Sequence, residues 1–222
     1  MPGRRIDQVR ADLINDGFTV SAVDAALEPE QYRDMPVMGY VPANVKTLEG
    51  LLYPDSFQRT EDTDPSYIIR ESLDAMSDHL TPDVQQAFAS HGLSVYQGLV
   101  LSSMVEQEVY KPGDREQVAQ VFLLRIKQGM TLGSDVTAYY GAIADGKSPS
   151  VRYDSPYNTR IHAGLPPTPI STVSDNSIKA AAYPASSDWL FFVSGDDGVT
   201  HFQHTNDEHQ ADTQKYCHEL CN

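Results

Sequence analysis

Two glutamates near the end of a long apolar segment could carry acid–base chemistry. A helix is predicted over about residues 93–110, and Leu101 and Val105 belong to its apolar stripe. Glu108 continues that stripe at its edge, whereas Glu106 points to another side of the helix. A partly desolvated carboxyl has a raised pKa, which suits Glu108 to protonate a leaving oxygen near neutral pH. The plain alternative is a pair of solvated helix glutamates.

A polar loop stiffened by proline is the second candidate for a site. Residues 155–159 read Ser-Pro-Tyr-Asn-Thr, and residues 164–170 read Gly-Leu-Pro-Pro-Thr-Pro-Ile. Proline fixes φ and holds the preceding residue extended, so Tyr157, Asn158 and Thr159 would be held on a stiff backbone. Such a track suits a site that positions a ligand, although a structural connector would need the same prolines.

A third candidate is a group of potential metal ligands near the C-terminal end. Its members are His201, His204, His209, Cys217, His218 and Cys221. Zinc could bind such a group, but the spacing matches no familiar zinc module, so no metal is expected. The two cysteines are four positions apart and would share one face of a helix, where disulfide geometry is unfavourable.

Composition favours a globular protein and argues against several partner classes. The 222 residues are 40% hydrophobic and 21% charged, with a formal net charge of -15. Such an acidic chain is a poor partner for nucleic acid or for an anionic membrane surface. No apolar run approaches the length of a membrane-spanning helix, and no signal peptide precedes the first helix.

The helices and strands expected from the sequence pattern indicate an α+β fold. A helical N-terminal lobe is expected over residues 1–90, followed over 91–222 by a mixed domain of helices, a β-hairpin and long irregular site loops. The stretch 129–173 is interpreted as irregular, and such long loops are usually functional. Helices are expected near residues 6–14, 21–27, 69–80, 84–88, 93–110, 114–124, 174–182 and from 205 onward, with a hairpin at 190–193 and 199–203.

Five ordered segments together resemble the endolytic murein transglycosylases, the YceG-like (MltG) family. The resemblance covers roughly residues 48–209 and is far more specific than any one segment. The segments are Leu48-Glu49-Gly50-Leu51-Leu52-Tyr53-Pro54-Asp55, Val105-Glu106-Gln107-Glu108, Gly133-Ser134-Asp135-Val136-Thr137, the Tyr157-Asn158-Thr159 track with its prolines, and Trp189-Leu190-Phe191-Phe192-Val193.

The resemblance implies a reaction and assigns residues to it. Glu108 matches the family's catalytic acid. That acid protonates the glycosidic oxygen between N-acetylmuramic acid and N-acetylglucosamine, and the cleavage leaves a 1,6-anhydro end. This cleavage would occur within nascent glycan strands and limit their length, with no cofactor. Supporting or substrate-orienting roles fall on Glu106, Ser134, Asp135, Tyr157, Asn158 and Thr159.

The resemblance also implies a setting. Residues 91–222 would form the YceG-like catalytic domain, acting on peptidoglycan at the extracytoplasmic face of a bacterial membrane, with penicillin-binding synthases as neighbours. The family's membrane helix and LysM-like part precede a segment like Met1–Arg5, so we expect an anchor that this sequence does not include. A scaffold that binds glycan without cutting it is the competing hypothesis, and a zinc-binding protein is a second.

Some positions depart from the family pattern or keep two interpretations. Ser134 stands where threonine is usual and keeps the hydroxyl, and Val136 replaces a proline, which affects only loop stiffness. Arg160 could face an acidic stem peptide or be an ordinary exposed arginine. Glu49 and Asp55 could serve as structural caps or contact substrate.

Overall fold

The computed structural model describes residues 1–109 and 111–219, apart from the side chain of Pro112. Within them, helices and one small antiparallel hairpin form the α+β fold that the sequence predicts. The α-helices are α1 Ile6–Asn15, α2 Val20–Ala26, α3 Pro65–His79, α4 Pro82–Ser90, α5 Val95–Glu108, α6 Arg115–Lys127, α7 Asp135–Ala144, α8 Asp175–Ala182 and α9 Asn206–Tyr216. The strands are β1 Phe191–Ser194 and β2 Thr200–Gln203, and short 3-10 helices lie at Pro29–Tyr32, Pro36–Tyr40 and Pro112–Asp114.

Helix α5 lies at the centre of the molecule and packs against α4, α6, α7 and α8. Every residue from Gly98 to Val105 is buried, so this helix is enclosed on all sides rather than amphipathic. Gly98 is required for the packing, since a Cβ there would lie 2.4 Å from the ring of Phe88. The surrounding core fixes α5 and therefore fixes the position of its last residue, Glu108.

The first residues of the chain are tied to the segment that follows the proline track. The Gly3 amide donates to the Thr172 carbonyl at 2.9 Å, and the Thr172 amide donates to the Arg4 carbonyl at 2.8 Å. The Gln107 side chain donates to the Gly3 carbonyl at 2.9 Å, which adds the end of α5 to this junction. Buried apolar residues of both chain halves join one cluster, from Leu13 to Ala182. The division at residue 90 stays a prediction.

Helix α7 is the main departure from the expected elements, because it lies inside the stretch 129–173 that was expected to be irregular. Its apolar residues include Ala138 and Ala142, which are small and fully buried. Their spacing is helical, but Gly133 and the following polar residues suggested a loop. The loop prediction was wrong from Asp135 to Ala144, and the helix gives Ser134 and Asp135 a rigid support.

Three helix ends also differ from the sequence expectations. Helix α2 begins at Val20, one residue before the expected start, and Thr19 caps it by accepting from the Ala22 amide at 3.3 Å. Helix α6 runs on to Lys127, past the expected end at residue 124, and Asp114 before it makes no side-chain cap. Helix α5 ends at Glu108, whereas the predicted end at Tyr110 lies outside the described residues. Glu108 is therefore a helix terminus, where its side chain can face a neighbouring loop.

The C-terminal region matches the predicted hairpin and last helix. Strands β1 and β2 pair antiparallel, with Phe191 opposite Gln203. Thr205 and Glu208 form a capping box that starts α9. Cys217 follows α9 rather than lying in it and is disulfide-bonded, so the helix-based argument against a disulfide does not apply. Cys221 lies outside the described residues. No helix of the described residues has the length and apolarity to cross a bilayer.

Candidate active site

Glu108 and Ser134 form the centre of the candidate site. The Ser134 hydroxyl donates to Glu108 Oε1 at 2.6 Å, which is a short, strong contact between a hydroxyl and a carboxyl. Ser134 is the N-cap residue of α7, yet its hydroxyl makes no cap bond to that helix. Among the described residues no hydrogen bond reaches Oε2 of Glu108. Oε2 is therefore free to carry the acidic proton when Glu108 is protonated.

The surroundings of Glu108 place its pKa near neutrality. Burial is the largest effect and raises the pKa of Glu108 to about 7, and the negative charge of Asp135 raises it further. The hydrogen bond from Ser134 and the positive charge of Arg125 lower the pKa and oppose this shift. A carboxyl with this pKa is present in both protonation states near pH 7. It can therefore donate a proton and later accept one without a large free-energy cost.

A set of buried hydroxyls holds Ser134 in place. The Ser134 amide donates to Thr159 Oγ1 at 3.2 Å, and Thr159 Oγ1 lies 2.8 Å from Thr137 Oγ1. The Thr137 hydroxyl is also 2.7 Å from the Ser134 carbonyl. Thr159 thus reaches the site through the backbone of Ser134 rather than by contacting Glu108. Sequence reasoning selected Thr159 but missed Thr137, which is fully buried on α7.

Arg125 is a charged group near Glu108 to which the sequence analysis gave no role. Its guanidinium donates to the carbonyls of Leu190 at 2.7 Å and Leu132 at 2.5 Å. It also lies over the Phe191 ring, with 4.9 Å from Cζ to the ring centre. Its positive charge favours the ionised form of Glu108. An arginine in the last turn of a helix looks like ordinary dipole pairing, so the sequence alone gave no signal for it.

Asp135 and Arg160 form an ion pair at the exposed rim of the site, with nearly half of each side chain accessible. Asp135 is the first residue of α7, directly after Ser134. Of the two interpretations of Arg160, the structure shows an exposed residue, as expected by default, but one that has a definite partner. This pair is accessible to a ligand that approaches Glu108.

Glu106 lies apart from this group and has a buried ion pair of its own. Its carboxylate is 3.2 Å from Arg115 Nη2 and accepts bonds from the Ser174 amide at 2.9 Å and the Ser174 hydroxyl at 2.5 Å. Both charged side chains are largely buried. Glu106 therefore joins α5 to α6 and to the start of α8, and it does not face the same space as Glu108.

Asn158 requires a correction. The side chain is 0% exposed, and its amide nitrogen donates to the carbonyls of Val151 at 3.1 Å and Tyr153 at 2.8 Å. Its oxygen accepts from the Arg160 amide at 3.0 Å. The expected substrate contact does not fit this arrangement, because the amide is already used within its own loop. Asn158 shapes the loop that carries Thr159.

Tyr157 and Glu49 belong to a second buried polar group, away from Glu108. The Tyr157 hydroxyl lies 3.0 Å from Thr168 Oγ1, and its ring packs against Tyr140 at 4.7 Å. Glu49 is 1% exposed and accepts a hydrogen bond from the Tyr140 hydroxyl at 2.9 Å. It also accepts from the Ile6 amide at 3.0 Å, so it acts as a structural cap of α1. Burial raises the pKa of Glu49 to about 7. Asp55 is exposed and accepts from the amide of Ser56.

The hypothesised zinc ligands do not converge. In the part of the chain that the structure describes, no group of three or more His, Cys, Asp or Glu side chains could hold a metal ion. His201 lies 3.2 Å from Asp197 and stacks on Tyr216, while His204 lies 2.8 Å from Asp188. His209 packs against Phe191 instead.

The fold and site define an α+β protein whose buried central helix ends in a glutamic acid suited to general acid–base catalysis. The chain belongs to the YceG-like family, whose model matches residues 2–215. Its nearly complete match agrees with the resemblance found in the five sequence segments.

Individual relatives are consistent with this membership. The chain is 32% identical over 183 residues to an endolytic murein transglycosylase of Bacillus subtilis (strain 168), covering 78% of this chain and 49% of that protein. It is 29% identical over 184 residues to the endolytic murein transglycosylase of Streptococcus pneumoniae (strain D39 / NCTC 7466), covering 79% of this chain and 33% of that protein. The chain thus spans about half or less of these relatives.

A solved structure shows the same fold. The 2.6 Å crystal structure of a YceG-like protein from Listeria monocytogenes matches with a TM-score of 0.81 and 29% identity, covering 95% of this chain and 74% of that one.

Proposed function

We propose that this protein is an endolytic lytic transglycosylase that cleaves peptidoglycan between N-acetylmuramic acid and N-acetylglucosamine. The observation that carries the proposal is the Glu108 carboxyl, with a pKa near 7 and one oxygen held by Ser134. The names of the Bacillus and Streptococcus relatives support the choice of murein as the substrate.

The proposed reaction uses one carboxyl twice. Glu108 first donates its Oε2 proton to the glycosidic oxygen as the bond from that oxygen to C1 of the muramic acid breaks. The resulting carboxylate then takes the proton from the C6 hydroxyl of the same sugar. The C6 oxygen forms a bond to C1 and closes a 1,6-anhydro ring. The proton count balances, and Glu108 returns to its starting state.

The neighbours of Glu108 support both steps. The Ser134 hydrogen bond stabilises the carboxylate after the first transfer, and the nearby positive charge of Arg125 does the same. Burial stabilises the neutral form of Glu108 before the first proton transfer. These opposing effects keep the two states close in free energy, as a group that alternates between acid and base requires.

The wider role follows from the resemblance. We propose that cleavage occurs within newly made strands and limits their length, outside the cytoplasmic membrane, with penicillin-binding synthases as neighbours. A catalytic unit over residues 91–222, supported by 1–90, is part of the same proposal.

Mass spectrometry of digested peptidoglycan tests the reaction. We expect fragments that end in 1,6-anhydro-N-acetylmuramic acid. Reducing ends in their place would mean hydrolysis, and intact strands bound to the protein would favour the non-catalytic scaffold.

A further inference from the structure

Glu49 is a buried titratable group that the proposed reaction does not use. It is 1% exposed and belongs to the segment 48–55, the first of the five segments that carry the family resemblance. Its Oε2 accepts hydrogen bonds from the Tyr140 hydroxyl at 2.9 Å and from the Ile6 amide at 3.0 Å. A buried carboxyl is costly unless such partners satisfy it. Glu49 thus connects the start of α1 with α7.

Helix α7 and the loop of residues 155–159 pack together as one unit. Gly141 on α7 lies so close to the loop that a Cβ there would be 2.0 Å from Ser155 Oγ. The Tyr140 ring packs against the Tyr157 ring, with 4.7 Å between their centres. The hydrogen bond from Tyr140 to Glu49 therefore holds the loop as well as the helix.

This unit brings Ser134 to Glu108. Ser134 is the N-cap residue of α7, and its hydroxyl donates to Glu108 Oε1 at 2.6 Å. Tyr140 lies six residues further along the chain, about 9 Å along the helix axis. Hydrogen bonds depend on distance and angle, so a small displacement of α7 would weaken the contact with Glu108, which the core holds in place.

Charge does not connect the two glutamates directly. Apart from burial, which is the largest effect, the charges that shift the pKa of Glu108 are those of Asp135 and Arg125. Burial also dominates at Glu49, where the charges that shift the pKa belong to two residues at the start of α1, Asp7 and Arg5. Burial raises the pKa of three tyrosines, and the Glu49 charge adds to this rise, at Tyr96, Tyr140 and Tyr157. An influence of Glu49 on Glu108 must therefore pass through the position of α7.

We propose that Glu49 is a positioning residue for the reaction, which holds α7 through Tyr140 in the place where the Ser134 hydroxyl reaches Glu108. This inference rests on the proposed function and deepens it. It gives the segment 48–55 and the start of α1 a part in tuning the acid, although neither contacts it.

The test titrates the Glu108 carboxyl directly, by NMR of protein labelled with ¹³C at the glutamate side-chain carboxyls. The Glu108 signal is the one that Glu108→Gln removes. Tyr140→Phe keeps the ring but loses the hydroxyl, so it should raise the pKa of Glu108 by about half a unit, part of the effect of one hydrogen bond to a charged group. In a Ser134→Ala background the same change should add nothing, because the two substitutions then act through one contact.

Two further variants serve as controls. Tyr153→Phe removes a hydroxyl that donates at 3.0 Å to the exposed carboxylate of Asp145, the C-cap residue of α7, and should leave the pKa of Glu108 unchanged. Glu49→Gln keeps an oxygen that can accept both hydrogen bonds, so it should also leave this pKa unchanged. Glu49→Ala should raise the pKa as Tyr140→Phe does.

The titration needs no cleavage, so it separates this inference from the proposed reaction. An unchanged pKa in Tyr140→Phe, the same shift with and without the Ser134 hydroxyl, or an equal shift in Tyr153→Phe would each overturn the positioning role. If the pKa shifts as expected but the wild-type protein releases no 1,6-anhydro ends, the proposed reaction fails and the positioning of Glu108 stands. Released anhydro ends without a shift in Tyr140→Phe would keep the reaction and remove the role of Glu49.

Discussion

The Ser134 hydroxyl donates to Glu108 Oε1 across 2.6 Å and gives up the capping bond that an N-cap serine usually makes to its own helix. The Ser134 side chain therefore binds the last residue of α5 instead of capping α7. This contact leaves Oε2 of Glu108 without a hydrogen-bond partner among the described residues, and it favours the ionised form against the larger opposing effect of burial on the pKa.

Replacing Ser134 with alanine should shift the pH dependence of cleavage. The hydrogen bond favours the carboxylate, so its loss raises the pKa of Glu108 above about 7. Activity that needs the protonated acid falls as pH rises through that pKa. The alkaline limb should therefore move upward by about one pH unit, the size expected for one hydrogen bond to a charged group. Initial rates measured from pH 5 to pH 9 check this shift.

Ser134→Thr is the matched control, because it keeps the hydroxyl. It should restore the wild-type pH profile. An unmoved alkaline limb in Ser134→Ala would mean that the hydroxyl does not influence the group that titrates in the reaction.

Glu108→Gln should remove activity and leave the fold intact. An amide of nearly the same shape cannot donate an acidic proton, so the rate should fall by about a hundredfold to ten-thousandfold. The variant should keep its melting temperature at low pH and match or exceed wild type between pH 5 and pH 8, because burial disfavours the ionised form of Glu108 as it does for Glu49, and an amide cannot ionise. Anhydro-end release and thermal unfolding are the two measurements.

Glu106→Gln provides the comparison, since it lies in the same turn of α5. It weakens the buried ion pair with Arg115, so it should lower the melting temperature while the folded fraction keeps its rate. The opposite pattern, with activity lost only at residue 106, would show that the acid has been assigned to the wrong glutamate.

Glu49 should make the stability of the protein depend on pH. Burial raises its pKa from 4.5 to about 7, so the folded state holds the proton more tightly than the unfolded chain. The stabilisation is complete below about pH 4.5 and is lost as pH rises through 7, by an amount on the order of 3 kcal/mol. Glu49→Gln cannot ionise, so relative to wild type its melting temperature should improve between pH 5 and pH 8. Parallel melting curves for the two proteins would rule out titration of Glu49 in this range.

Removing metal ions should leave the activity unchanged. The proposed chemistry transfers only protons, and the histidines once considered as ligands are separately engaged with Asp197, Asp188 and Phe191. Dialysis against a chelator followed by a cleavage assay checks this expectation. Stoichiometric zinc in the purified protein, with activity lost on its removal, would contradict the single-glutamate mechanism.

Local sequence signals predicted much of the fold but not the contacts that complete the site. The helix starts near residues 174 and 205 and the hairpin could be predicted, because caps such as Ser174 and Thr205 and hairpin turns depend on neighbouring residues. Glu108 was selected from the edge of a predicted apolar stripe, but α5 is buried on all sides, so the environment of Glu108 comes from its place at the helix end, and its catalytic role stays a prediction. The contacts of Arg125 were not predicted, because Leu190 is distant in sequence and both Leu132 and Leu190 offer only backbone carbonyls, which carry no residue-type signal.

The error at α7 has the same origin. Gly133 does adopt a positive φ, as its residue type allows, but the irregular segment there is short and leads into a helix whose small residues pack into the core. Local propensity cannot tell a loop from a helix start when tertiary burial decides the outcome.

Asn158→Ala should now be expected to act on stability first, which reverses the role suggested by the sequence. The buried amide bonds the carbonyls of Val151 and Tyr153 and the amide of Arg160, and alanine would leave these groups without that partner. Each unsatisfied buried group costs about 1–3 kcal/mol, so the melting temperature should drop by several degrees.

Thr159 follows Asn158 and contacts the Ser134 amide, so a loosened loop in Asn158→Ala could also displace Glu108. The decisive quantity is therefore the cleavage rate per folded molecule, measured well below the melting temperature of the variant. A rate close to wild type together with a lowered melting temperature would establish Asn158 as a structural residue. A large loss of rate at unchanged melting temperature would instead return it to the substrate site, despite its complete burial.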